Sequence, residues 1–83
     1  MLFVLSVVED YEEKIHLEAL FEMYKLEMHR QAFIVLGDAY DAEDAVQNAF
    51  FRIWKHLNKL QDIESVSTKW YVLCAARNAA IDI

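Results

Sequence analysis

The chain has 83 residues, a hydrophobic fraction of 57%, one glycine, no proline, one cysteine and a formal charge of −6. That length holds one small domain, and with so little glycine and no proline a many-stranded sheet closed by tight turns is excluded, which leaves long helices. The lone Cys74 excludes a disulfide framework or a thiolate zinc site and fits a reduced, cytoplasmic setting, while the net negative charge argues against a simple nucleic-acid binder.

Residues 1–10 open with an apolar run, Met1 to Val8, followed by Glu9 and Asp10. It has no basic n-region and no small-residue cleavage site, and it is too short to span a bilayer. It is expected to pack on the domain or on a neighbour, with at most a short helical turn, and no membrane association follows.

Between about 11 and 36, Leu17, Leu20, Phe21, Tyr24, Met28, Gln31, Ala32 and Val35 recur at three- and four-residue spacings, the pattern of one helix face. Asp10 with Glu13 resembles a capping box, and Gly37 ends the helix in the left-handed conformation. The run Gly37 to Tyr40 reads as a turn. Asp41 then reads as the N-cap of a second helix over 41–60, with Glu43 and Asp44 in its first turn and Val46, Ala49, Phe50, Ile53 and Leu57 facing inward.

The aperiodic stretch Gln61–Ser67 is expected to be a loop. Ser65 or Ser67 caps a third helix over 68–83, with Trp70, Tyr71, Cys74, Ala75, Asn78 and Ile81 on one side and Cys74 as a small core residue. The fold class is therefore all-α: one domain of three main helices spanning 1–83, without repeat, low-complexity tract or linker.

Glu13-x-x-His16 has the spacing of a di-iron half-site, but such a centre needs a second pair and further glutamates. His29 and His56 have no partner at ligand spacing, and neither a glycine-rich phosphate loop nor a nucleophile elbow is present. No metal, no cofactor and no enzymatic activity are expected.

Two features exceed the needs of a core. In the block from Asp41 to Trp54, Phe51 and Trp54 carry apolar surface sideways beside carboxylates and amides, as a protein-binding helix does. The alternative is that Trp54 only widens the core face. The second feature mixes cations, amides and aromatics: Lys55, Asn58, Lys59, Lys69, Trp70, Tyr71, Arg77 and Asn78. Cations track phosphates, aromatic rings stack on bases and asparagine pairs with base edges, which suits single-stranded nucleic acid. Equally, Trp70 and Tyr71 are core and the lysines ordinary solvated surface.

The block Asp41-Ala-Glu-Asp-Ala-Val-Gln-Asn-Ala-Phe-Phe-Arg-Ile-Trp54 resembles the polymerase-binding signature of bacterial sigma factors. Trp70-Tyr71 with Ala75 to Asp82 resembles that family's promoter-reading helix. The likeness is to region 2 of the sigma-70 family in its extracytoplasmic-function (ECF) branch, and it runs from Leu17 to Asp82.

The resemblance implies an all-helical module that docks on the coiled-coil clamp helices of the β′ subunit of core RNA polymerase. It also implies recognition of the promoter −10 element, as non-template single strand, while the duplex separates. Asp41, Glu43, Asp44, Gln47, Asn48, Phe51 and Trp54 match the polymerase-binding motif. Lys69, Trp70, Arg77 and Asn78 match the DNA-facing segment, with Asn58 and Lys59 of the aromatic and basic mixture as further DNA-binding candidates, and the loop Gln61–Ser67 matches the one that receives an extruded base. Extrusion costs a few kcal/mol of unstacking, which stacking and edge contacts offset. An anti-sigma factor is a further partner of such factors.

Three departures stand out. Asn48 occupies a position where glutamate is usual, and Leu73 one that is commonly polar or basic. The basic run after Asp82 and the helix-turn-helix region 4 are absent from the sequence, so the chain reads as a fragment of a longer factor. The rival reading is a helical protein–protein module, adaptor or anti-sigma-like, that never touches DNA.

The charge of −6 divides unevenly along the chain. Residues 1–51 carry 3 basic and 11 acidic side chains, a balance of −8, whereas residues 52–83 carry 5 and 3, a balance of +2. Such asymmetry points to two different partners, with weak DNA binding by the chain alone.

Overall fold

The computed structural model describes residues 2–83, so of the apolar start only Met1 lies outside the described residues. Helix α1 spans Tyr11–Leu36, α2 Ala39–Lys55 and α3 Val66–Ile81, and 3₁₀ turns occupy Phe3–Ser6 and Leu57–Lys59. No strand occurs among the described residues. Each helix packs against the other two, and α1 and α2 form an antiparallel hairpin closed at Gly37.

The expected limits of α1 hold. The Asp10 side chain accepts from the Glu13 N–H at 3.0 Å, satisfying one orphan amide. Gly37 has φ +69°, and its N–H donates to the Phe33 carbonyl at 2.7 Å. The reciprocal half of the capping box differs, because the Glu13 carboxylate accepts from Trp54 Nε1 at 3.3 Å. Leu17, Leu20, Tyr24, Met28 and Ala32 are buried, while Val35 is exposed beyond the end of the packed stripe.

Helix α2 begins earlier than its acidic composition implies. Asp38, not Asp41, is the N-cap, its carboxylate accepting from the Tyr40 and Asp41 N–H groups at 2.9 and 3.0 Å. Gly37 has already reversed the chain, so the extended residue beside it caps the next helix at once. The α-helix stops at Lys55, short of the expected 60. Apolar spacing ran on because the following 3₁₀ turn still directs Leu57 and Leu60 into the core.

Ser65 caps α3, accepting from the Thr68 N–H at 3.1 Å, so the helix starts at Val66 rather than 68 and ends with Asp82 as C-cap. Its buried face is also corrected. Thr68, Val72, Ala75, Ala76, Ala79 and Ala80 point inward, while Trp70, Cys74, Asn78 and Ile81 are exposed. The alanine seam lets the backbone of α3 approach the hairpin closely, with Tyr71 and Leu73 half-buried at its margins and Trp70 left outside.

The N-terminal segment is part of the core. Leu2, Val4 and Val8 are buried against α1 and α2, a contribution of about 1.5–3 kcal/mol for each fully buried aliphatic side chain. Edge-to-face packing of Phe21 on Phe50, centroids 5.5 Å apart, joins α1 to α2 nearby. Arg52 of α2 donates to Asp82 at 2.6 Å and ties the end of α3 to the hairpin.

Candidate functional site

The structure separates the expected site residues into two faces. On α2, Asp41, Asp44, Asn48 and Phe51 follow three- and four-residue spacings and lie exposed along one stripe, with Glu43 exposed beside them. Among the described residues the ion pairs are Lys25–Glu22, Arg52–Asp82 and Lys69–Glu27. None of the three α2 carboxylates is in an ion pair among the described residues. With Asp38 serving as cap, the Asp41 side chain stays available at the positive end of the helix.

Gln47 and Trp54 are placed differently. Gln47 is only 7% exposed, and its Oε1 accepts from the Phe3 N–H at 2.9 Å, so the N-terminal segment lies over it. Trp54 is half-buried against the core with its indole N–H on Glu13. Beside Glu43 and Gln47, a mostly apolar groove of about 190 Å³ runs between α2 and Phe21, Lys25, Leu26 and His29 of α1. The α1 wall of this groove was missed in the sequence. Its only signal was Leu26, an aliphatic residue off the buried stripe.

On α3, Trp70 is 65% exposed and stands between two concavities of about 320 Å³ each. One is lined with it by Gln31, Leu73, Cys74 and Arg77, the other by Val66, Lys69 and Leu73. A large exposed aromatic flanked by a guanidinium and an ammonium can stack on a base while its neighbours meet phosphates. Lys69 is partly neutralised by Glu27 of α1, 3.4 Å away. Asn78 opens instead onto a smaller hollow with Arg52, Tyr71, Cys74 and Ala75.

Asn58 and Lys59 are exposed on the 3₁₀ turn, but Asn58 lines a polar concavity with Asp10, Glu12, Glu13, His16, Leu57 and Gln61. It is not brought into the hollows around Trp70. Between the turn and α3, the loop is closely bonded. Asp62 accepts through its carbonyl from Thr68 Oγ1 at 2.8 Å and from the Ser65 N–H at 3.2 Å, and its carboxylate accepts from the Glu64 N–H at 3.1 Å. From α1, Tyr24 donates its hydroxyl to the Ile63 carbonyl at 2.5 Å, and His16 Nε2 lies 2.7 Å from the Leu60 carbonyl. A carbonyl only accepts, so that ring nitrogen carries the proton.

Burial raises the Tyr24 phenol above its ordinary pKa, with the Lys69 charge acting in the opposite sense and Glu27, Glu64 and Asp62 reinforcing the rise. Burial likewise raises Tyr71, opposed by Arg52. Among the described residues no group of three His, Cys, Asp or Glu side chains is placed to hold a metal ion. None of their helices is long and apolar enough to cross a membrane. The faces present charge, amides and aromatic surface, the chemistry of binding.

Residues 20–83 match the sigma-70 region 2 family. The ECF RNA polymerase sigma factor SigL of Mycobacterium tuberculosis, in strains Erdman, CDC 1551 and H37Rv, is 33% identical over 66 residues. That stretch is 80% of this chain and 37% of the relative, so the chain spans little more than a third of the curated relatives it matches. No solved structure matches it. With most of its length inside the family match and an ECF factor a third identical to it, the chain belongs to the sigma-70 region 2 family, in its ECF branch.

Proposed function

We propose that the chain acts in transcription initiation by docking core RNA polymerase through α2 and reading the promoter −10 element through α3. The observation that carries this is the segregation of chemistry onto two faces. Exposed carboxylates and Phe51 line α2, whereas Trp70 projects from α3 between Lys69 and Arg77. Asp41, Glu43, Asp44, Asn48 and Phe51 meet the β′ clamp helices, and the apolar groove beside Glu43 takes a side chain of that coiled coil. Trp70 stacks on a non-template base, Lys69 and Arg77 hold phosphates, Asn78 contacts a base edge, and the loop before α3 receives the extruded base. The protein breaks no bond.

A purely protein-binding module is favoured by one observation: Lys69 and Arg52 are both engaged with carboxylates, which leaves few open cations near α3. Paired titrations with a β′ coiled-coil fragment and with a −10 non-template oligonucleotide separate the two readings. The initiation factor binds both, the oligonucleotide weakly and with strong salt dependence. A protein-binding module gives no oligonucleotide signal at low salt.

Asp44→Arg is expected to weaken coiled-coil binding by roughly tenfold, about 1.4 kcal/mol. Unchanged affinity removes α2 from the docking surface. Lys69→Ala is expected to weaken binding to every sequence and to lower the salt slope by about 1. Asn78→Ala is expected to reduce discrimination among −10 sequences instead, and an equal loss on all of them takes base reading away from Asn78.

A further inference from the structure

We propose that Tyr24 and His16, which belong to neither sequence motif, are positioning residues for base capture. Standing on one side of α1, they hold the loop before α3 in its receiving shape. This inference rests on the proposed role of that loop in accepting an extruded base.

The geometry is specific. The two side chains are eight residues apart, just over two helical turns, and both reach α1's neighbour loop through its carbonyls. His16 Nε2 donates to Leu60 at the entry of the loop, and the Tyr24 hydroxyl donates to Ile63 at its middle. Thr68 takes the Asp62 carbonyl from the α3 side. Three successive anchors thus come from two rigid helices and fix the backbone between Leu60 and Ser65.

Loops ordinarily satisfy such carbonyls with water and sample many conformations. Here the buried Tyr24 ring, 5% exposed, makes its hydroxyl a fixed donor. A loop ordered in advance does not have to be ordered when the base arrives, so its selectivity is kept for the base itself. The arrangement also gives both residues of Glu13-x-x-His16 a hydrogen-bonding role: Glu13 holds Trp54, and His16 holds the loop.

The test compares the chain with Tyr24→Phe, His16→Ala and His16→Gln. NMR titration at low ionic strength uses a −10 non-template oligonucleotide and versions with the extruded base replaced. Amide exchange of Glu64 and Ser65 is followed without DNA. Tyr24→Phe removes one oxygen and keeps the packing. It is expected to reduce the ratio of affinities for matched and replaced bases by roughly fivefold, the fold-change of one hydrogen bond, with the salt slope unchanged and loop exchange faster. His16→Ala is expected to act in the same sense, and His16→Gln, which keeps a donor, to restore part of the ratio.

If the parent chain discriminates and Tyr24→Phe discriminates equally well, the positioning role is overturned while base reading stands. An equal loss of affinity for all oligonucleotides overturns it too, since that is what a merely structural residue produces. A parent chain that binds without discrimination overturns the base-receiving loop itself and the inference with it.

Discussion

At Gln47 a motif position and a packing position coincide. Its amide accepts from the Phe3 N–H, and the N-terminal segment that makes this contact buries Leu2, Val4 and Val8. Gln47 also lines the groove beside Glu43, so the residue that anchors the N-terminal segment reaches the surface only there. Gln47→Ala is expected to cost about 1–2 kcal/mol, seen as a lower urea midpoint at unchanged slope. An unchanged midpoint shows that the segment is held without the amide. Tyr24 and Tyr71 give a second prediction at this scale. Burial raises both phenols, so the unfolded chain ionises first, at the ordinary value of 10.0. Their contribution to stability is complete below that pH and is lost as pH rises through the folded-state values. Ionised Tyr24 also loses the proton it donates to Ile63. Urea unfolding followed across pH 10.0 is expected to show declining stability for the parent chain and a shallower decline for Tyr24→Phe.

Among the elements, α1 was legible in the sequence to the residue because its signals agree: Asp10 caps, Gly37 stops, and the buried stripe repeats at helical spacing. The start of α2 was not, because two aspartates compete for one cap. Asp41 looks suitable by its neighbours, but the chain reversal at Gly37 already supplies an extended residue at Asp38. Asp38→Ala is accordingly expected to lower stability by about 1 kcal/mol, and Asp41→Ala by less, since it removes only a charge near the helix dipole. Thermal melts of the two variants check this, and the opposite order contradicts the observed cap. The exposed stripe of α2, which we propose for docking, follows the sequence spacing at Asp41, Asp44, Asn48 and Phe51, yet the burial of Gln47 does not. Spacing places Gln47 near the stripe, but whether another segment lies over it depends on residues more than forty positions away.

For the whole molecule, α3 shows how packing overrides hydropathy. Its largest apolar side chain, Trp70, faces solvent, while Ala75, Ala76, Ala79 and Ala80 make the seam with the hairpin. Ala76→Leu is expected to destabilise the fold by about 1–3 kcal/mol through overpacking, and Trp70→Ala by under about 0.5 kcal/mol. Calorimetry on both variants measures the contrast, and a large loss for Trp70→Ala returns that ring to the core. By itself the sequence determined the helical class, the extent of α1, the acidic and basic halves and the two motifs, since composition, capping chemistry and short-range spacing are local properties. Only the tertiary structure decided which side of α3 is buried, what covers Gln47, and how His16 and Tyr24 grip the loop. Those depend on the close approach of segments far apart in the chain, where fit of shape and pairing of buried polar groups outweigh the preference of any single residue.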